Sequence, residues 1–298
     1  MQKTYTNLYL LKRFLPYYGK YYPTLILDLI CAGFSTMCDL VLPIILRYLT
    51  NTARQDLSLL TVKLILTLEV IFVLLRVVDT IANYYMQNIG HVMGAKIETD
   101  MRYDIFSHIQ QLPYSYYNTN KSGQILSRIT TDLFDVTEFA HHCPEEFFIA
   151  LVKLVVSFVI LININITLTL TIFIMIPIMV FFMSSTNNHM RKAQKAQRNH
   201  VGEINSGIEN NILGAKVVKS FANEEFEQAR FDVDNSRFLG VKAIGYKAMA
   251  GFRSVTRTFD GLMYIVVILV GSFELKNGRI TTGDFVAFMM YIGCLLYT

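Results

Sequence analysis

Apolar residues gather in five long runs and the opening of a sixth. The first extends from about Thr24 to Leu46, and the second from Leu57 to about Tyr84. The third covers Phe147 to Ile162. The fourth, Ile166 to Met183, carries no charged residue at all. A fifth centres on Leu262 to Phe273 and begins near Ala248, and the sixth opens at Phe285 and is still apolar at Thr298. A helix crosses the hydrocarbon core of a bilayer with about 20 mostly apolar residues, so these runs predict six membrane helices. Phe285 to Tyr297 is too short for a crossing. The sixth helix is therefore expected to be cut short, the chain to be a fragment, and its residues after about 293 to be non-native.

Between the runs the pattern changes from continuous to periodic. Ile97, Met101, Ile105, Ile109 and Leu112 recur every three or four positions until Pro113 stops the repeat. A polar, aromatic stretch comes next, Tyr114-Ser115-Tyr116-Tyr117-Asn118, and beyond Gly123 the period resumes at Ile125, Ile129, Leu133 and Val136. The second long connection repeats this design with Val201, Ile204, Ile208 and Ile212, a break at Gly214, then Val217, Val218 and Phe221. Both predict helices that continue out of the membrane, fold back at a short connector and return. Amphipathic hairpins lying on the membrane surface are the alternative.

Charge fixes the expected orientation. With the N-terminus inside, residues 1–23, 90–135 and 186–247 hold 4, 4 and 10 lysines and arginines, whereas the outer connections hold two (Arg47, Arg54), none and two (Lys276, Arg279). Eighteen inside against four outside predicts a cytoplasmic N-terminus and a multi-pass protein of the plasma membrane, with lipid as its surroundings. Composition agrees: of 298 residues 53% are hydrophobic and only 17% charged, with a mean hydropathy of +0.38. Cys31, Cys38, Cys143 and Cys294 show neither a pairing pattern nor metal-ligand spacing. The first apolar run lacks a cleavage site and is long enough to span, so it does not read as a signal peptide.

Several ionisable residues fall within the apolar runs: Asp28 and Asp39 in the first, Glu69, Arg76 and Asp79 in the second, and Lys153 in the third. Each costs about 2.5–3.5 kcal/mol at the bilayer centre, so such residues face protein or water. Asp28, Asp39, Glu69 and Arg76 are candidates for a polar substrate path; local pairing, for instance of Arg76 with a carboxylate across the bundle, is the other reading. Glu138, His141, His142, Cys143, Glu145 and Glu146 form the one metal-like cluster. Adjacent histidines point apart and Pro144 is expected to disturb the helix there, so the default is a polar approach to the third span and no metal site. Arg191, Lys192, Lys195 and Arg198 make a basic face with no stacking platform, which gives no sign of nucleic-acid binding.

Particular strings sharpen the picture. Leu112-Pro113-Tyr114-Ser115-Tyr116-Tyr117 followed by Lys121-Ser122-Gly123-Gln124-Ile125-Leu126-Ser127-Arg128-Ile129-Thr130-Thr131-Asp132 resembles the first intracellular loop of ATP-binding cassette (ABC) exporters. Glu203-Ile204-Asn205, with Gly214-Ala215-Lys216-Val217-Val218-Lys219-Ser220-Phe221 and Glu224-Glu225, resembles the second, and Ile280 to Phe288 resembles the start of the sixth helix. The resemblance covers nearly the whole chain and is to the transmembrane domain of a multidrug- or lipid-type half-transporter. It implies an all-α polytopic fold and short coupling helices that dock on a nucleotide-binding domain, near Tyr114 to Lys121 and Ile208 to Lys216. On that basis Tyr114, Tyr116, Tyr117, Lys121, Gly123, Ile208, Gly214 and Lys216 are the coupling residues. About 20 Å of helix between the bilayer and Tyr116 and Tyr117 argues against a mere interfacial anchor for those rings.

The sequence contains no G-x-x-x-x-G-K-[ST] phosphate loop, so this chain holds no ATPase site of its own. The resemblance implies that ATP and Mg enter through a nucleotide-binding domain outside it. It also implies a second half-transporter, identical or related, as partner in a dimer that works by alternating access. Two other classes stay open at this level: an ion-coupled secondary transporter and a non-transporting membrane scaffold. The substrate is not legible.

Overall fold

A computed structural model describes residues 6–119 and 122–296, and every regular element among them is a helix. The chain folds as two units, Met1–Asn165 with Leu275–Thr298, and Ile166–Glu274. The first unit contains α1 (Asn7–Phe14), a tighter 3-10 segment (Leu15–Tyr21), α2 (Tyr22–Gln55) and α3 (Val62–Tyr85). A π-helical segment (Met86–Gly90) then leads into α4 (His91–Gln110), succeeded by α5 (Tyr114–Thr119), α6 (Ser122–Ile129), α7 (Thr131–Ile162) and, at the far end of the chain, α11 (Thr282–Leu296). The second unit is α8 (Ile166–Leu213), α9 (Ala215–Ser220) and nearly all of α10 (Glu224–Lys276).

The predicted breaks are where the helices stop. α4 ends before Pro113 and α8 before Gly214, and a tight turn at Asn163 to Asn165 separates α7 from α8. Gly278 closes the turn before α11 with φ +69, a left-handed conformation that a side chain would strain. α3 starts where the Thr61 hydroxyl accepts the Leu64 N–H at 3.3 Å, a regular N-cap. α8 is one uninterrupted helix of 48 residues and α10 one of 53, about 72 and 80 Å long. The charged half of each continues its apolar half without interruption, which disagrees with separate surface hairpins.

Among the described residues three stretches are long and apolar enough to cross a bilayer: Leu8–Gln55, which contains α2, then α8 and α10; α11 is apolar but shorter. α3 and α7 are helices at the second and third predicted runs, but Lys63, Glu69, Arg76 and Asp79 on one and Glu145, Glu146 and Lys153 on the other dilute their hydropathy. Their outward positions remain apolar. Leu66, Val70 and Leu74 are all more than half exposed, a surface suited to lipid rather than water.

In the first unit α2 is the central helix and packs on α3, α7 and α11. Ala32, Cys38 and Leu40 are buried on it, facing a core that includes Leu161 of α7 and Phe288, Tyr291 and Ile292 of α11. Lipid tails are as apolar as leucine, so helix association here rests on close packing and hydrogen bonds. Tyr291 supplies one such bond, its hydroxyl donating to the Leu40 carbonyl at 2.8 Å. A second contact area gathers Tyr18, Met93, Ile97 and Ala140, with Phe14, Tyr17, Tyr21, Leu25 and Met101 packed around them.

Pro144 does not disturb α7, contrary to expectation. The helix runs unbroken from Thr131 to Ile162. Proline lacks the N–H that would donate to the carbonyl four residues back, that of Ala140. The Tyr18 hydroxyl donates to this oxygen instead, from the 3-10 segment. A tyrosine phenol keeps its proton at ordinary pH, so this donor is always available.

At the opposite end, α11 is pinned to α2. Thr281 and Asp284 cap each other reciprocally: the Thr281 N–H donates to Asp284 Oδ2 at 2.8 Å, and the Asp284 N–H to the Thr281 hydroxyl at 3.1 Å. The second Asp284 oxygen accepts from Arg47 Nε at 2.5 Å, and the Gly283 N–H donates to Asn51 at 3.0 Å. A Cβ at Gly283 would lie 2.5 Å from both the Arg47 carbonyl oxygen and the Asn51 side chain. Gly283→Ala is therefore expected to cost about 1–3 kcal/mol through overpacking, read as a lower thermal midpoint in detergent. Tyr18→Phe leaves the Ala140 carbonyl without a donor, and a loss of about 1–3 kcal/mol is expected in the same assay.

Candidate transport and coupling sites

The charges expected to line a path separate into two places. Arg76 on α3 reaches across to α2, its Nη1 lying 3.1 Å from Asp39 Oδ1 and 2.9 Å from Asp79 Oδ2 one turn along its own helix. The Ser35 hydroxyl donates to the other Asp79 oxygen at 2.5 Å, and the Arg76 guanidinium stacks over the Phe72 ring at 5.3 Å. One cation thus bridges two carboxylates, which lowers the cost of holding all three in an apolar region. Arg76 and Asp39 are each 41% exposed, and Arg76 lines an open groove of about 410 Å³ together with Glu69, Phe72, Val73, Val77, Thr80 and Ile81. The structure therefore places Glu69 and Arg76 along one groove and pairs Arg76 with Asp39 and Asp79, with Ser35 bonded to the latter.

Asp28 is not part of this group. It lies eleven residues earlier on α2, about 16 Å along the axis, and is fully buried. Its neighbours are Gly90, His141 and Glu145, and of these only His141 and Glu145 belong to the metal-like cluster visible in the sequence. Helical spacing could not link Asp28 and His91 to that cluster, because the contacts join α2, the π-helical segment and α7.

The first connector forms a short helix, α5, beyond α4. Tyr114 is 79% exposed on it, whereas Tyr117 folds back so that its hydroxyl donates to the Ile109 carbonyl of α4. The Tyr116 and Tyr117 rings meet edge to face with centroids 5.7 Å apart. Gly123 lies in α6, and Lys121 lies outside the described residues. The N-terminal segment braces α4 from the side. Lys20 Nζ and the Tyr21 hydroxyl both reach Asp100 Oδ2 at 3.1 Å, and the Tyr17 hydroxyl donates to Asp104 at 2.9 Å. The hydrogen bond from Lys20 is the main cause holding the Asp100 carboxyl below the usual carboxylate range.

In the second unit the corresponding connector is α9. Gly214 sits between α8 and α9, its N–H donating to the Asn210 carbonyl at 2.9 Å. Ile208 and Lys216 are exposed. Beside them Ile212, Leu213, Val217, Phe221 and Phe226 are each more than 60% exposed, a concentrated apolar surface. A groove of about 410 Å³ runs along it, with Ile208, Ile212, Val218, Glu224 and Phe231 in its walls. Lys219 pairs with Glu224 at 3.1 Å and so closes the turn between α9 and α10. The periodic pattern marks Val217, Val218 and Phe221 as a helix face, but not that the tip leaves them uncovered. Along α8 the basic face of Arg191, Lys192, Lys195 and Arg198 is largely exposed.

An all-helical chain with apolar spans and two such connectors invites comparison with known membrane proteins. The ABC transporter transmembrane region matches residues 25–298, and the chain belongs to this family. It is 33% identical over 288 residues to the uncharacterised ABC transporter ATP-binding protein YwjA of Bacillus subtilis, covering 96% of this chain and 49% of that protein. It is 24% identical to the putative multidrug export ATP-binding/permease protein YgaD of the same species, over 95% of this chain and 49% of the relative. A putative multidrug export ATP-binding/permease protein of Staphylococcus aureus strain RF122 is also 24% identical, over 96% and 50%. The chain spans about half the length of the curated relatives it matches.

The Arg76 bridge yields a specific expectation. Arg76→Gln leaves two neighbouring carboxylates without their cation and should cost about 1.5–3 kcal/mol, measured as a fall in thermal midpoint. Adding Asp39→Asn should recover part of that loss in a double-mutant cycle.

Proposed function

We propose that this chain is the membrane half of an ATP-driven exporter, in which six spans (α2, α3, α7, α8, α10 and α11) form one side of an alternating-access pathway. The observation that carries the reading is the uncovered tip of the second unit, where the end of α8, α9 and the start of α10 present five large apolar side chains on helices extending well beyond bilayer thickness. Such a tip is built to be covered by another protein domain. The names of the relatives, which pair an ATP-binding part with a permease part, supply the candidate: a nucleotide-binding domain that uses ATP and Mg.

In this reading α5 and α9 are the coupling helices. Tyr114, Tyr116, Tyr117, Lys121 and Gly123 act at the first connector, and Ile208, Gly214 and Lys216 at the second. A stiff helix clasped at its tip converts closure of the attached domains into tilting of the spans. Two such chains, identical or related, enclose the pathway, and the groove lined by Glu69 and Arg76, with Asp39 paired to Arg76, supplies its polar wall. The excess of lysine and arginine in the long connections supports a cytoplasmic N-terminus in the plasma membrane.

The test uses the full-length protein in proteoliposomes loaded with an amphipathic fluorescent dye. Dye movement should require ATP and Mg and be indifferent to an imposed ion gradient. Phe221→Ala and Tyr114→Ala should each reduce substrate-stimulated ATP hydrolysis by about 5–100-fold while leaving the helical content intact. Transport driven by an ion gradient without ATP would replace this reading with that of a secondary carrier.

A further inference from the structure

The buried carboxylate at the start of the first span has no visible means of neutralisation among its protein neighbours. Asp28 is fully buried on α2, and among the described residues neither of its oxygens has a hydrogen-bond partner. Facing it from α7 are His141, whose side chain is 3% exposed, and Glu145, whose side chain is 9% exposed. Two carboxylates packed together in a dry site repel each other unless a proton or a cation intervenes.

We infer that Asp28, His141 and Glu145 form a site for one divalent first-row transition metal ion of the zinc type, three protein ligands with a fourth position open to water. The donor atoms of Asp28, His141 and Glu145 all lie within 4.8 Å of one another. His141 Nε2 stands 3.2 Å from His91 Nδ1 and 3.6 Å from Glu145 Oε2. A tetrahedral ion with bonds of about 2.0–2.1 Å separates its ligand atoms by roughly 3.3–3.4 Å, so the His141–Glu145 distance lies close to an edge of such a site, while the donor of His91 groups with those of His141 and His142. Mixed imidazole and carboxylate donors select zinc and its neighbours over the all-oxygen environments that suit magnesium and calcium.

The surrounding backbone leaves room for these donors. A Cβ on Gly90 would fall 2.5 Å from His141 Cε1 and 2.7 Å from Asp28 Oδ1, so only glycine lets the two side chains close over this point. Gly90 ends the π-helical segment, and a π turn alters the register at which the next residue, His91, leaves the helix. His142 joins His91 and His141 in a second group whose donor atoms lie within 4.8 Å of one another, and it also pairs with Glu138 at 3.3 Å. The sequence favours a plain polar approach to the third span, because α7 alone supplies His141 and Glu145 but not the carboxylate facing them. Asp28 completes the set from α2. An ion here ties α2 and α7 together close to where the first and third apolar runs begin.

The experiment strips the purified full-length protein with a chelator and titrates it with Zn²⁺ against a chromophoric competitor, with Co²⁺ spectra reporting geometry. One ion per chain with a tetrahedral cobalt spectrum is expected, together with a rise in thermal midpoint on adding zinc. His141→Ala and Asp28→Asn should each weaken binding by about 100-fold or more, since even groups that merely support metal ligands contribute 10–100-fold. Glu138→Gln should leave binding unchanged. If Asp28→Asn fails to fold, Glu145→Gln carries the same expectation. Absence of saturable stoichiometric binding, or equal affinity in wild type and the ligand variants, overturns the site and leaves a protonated Asp28 as the explanation of its burial. Neither result bears on ATP-driven transport, which the vesicle assay reads separately.

Discussion

Lipid offers no hydrogen bonds, so every backbone N–H and C=O inside a bilayer has to find its partner within the protein. This one requirement makes helices the only open-ended element that can cross. At the margins of the apolar runs, irregularities in this chain are likewise absorbed rather than allowed to break a helix. Pro144 withdraws a donor from the middle of α7, and the hydroxyl of Tyr18 takes the vacated carbonyl of Ala140. The π-helical segment between α3 and α4 keeps its backbone bonded while shifting the register of α4 relative to α3. The turn before α11 spends its left-handed residue on a glycine and hands the first free N–H groups of the helix to Asp284, Thr281 and Asn51.

The same scarcity of partners governs the charges. Arg76 lies between Asp39 and Asp79, and Arg47 meets Asp284, so each cation is held by carboxylates from a neighbouring helix or turn. These bridges fix which helix faces which, in surroundings where apolar contact alone discriminates poorly. A pair of this kind also leaves half-exposed polar surface on an otherwise apolar wall.

Much of the architecture was legible from local signals. Pro113, Gly214, Asn163 and Gly278 mark helix ends because their effect acts on the residue itself and its immediate neighbours. The two connectors could be located for the same reason. The partners of buried charges were not legible, since Asp39 and Asp28 share a helix and a residue type yet meet different elements. His91 carried no local signal at all: it becomes significant only when α7 brings His141 within 3.2 Å of it. Pro144 misled in the other direction, because its compensating donor lies over a hundred residues away in the chain. The apolar tip around α9 was visible as periodicity, but whether a face is covered depends on neighbours that periodicity does not name.

A lever needs stiffness along its length and a firm base. The first unit has the stiffness in α4, a helix braced from the side by Tyr17, Lys20 and Tyr21 through Asp104 and Asp100. Its base is the crossing of α2, the π-helical segment and α7, where Asp28, Gly90 and His141 pack without space for one added carbon. Motion imposed on α5 would be lost in bending if that crossing were loose. Bound metal would remove the repulsion between Asp28 and Glu145 and hold α2 and α7 as one body. Force applied at the connector would then reach the spans as rotation of the whole unit, rather than as local distortion near the membrane surface.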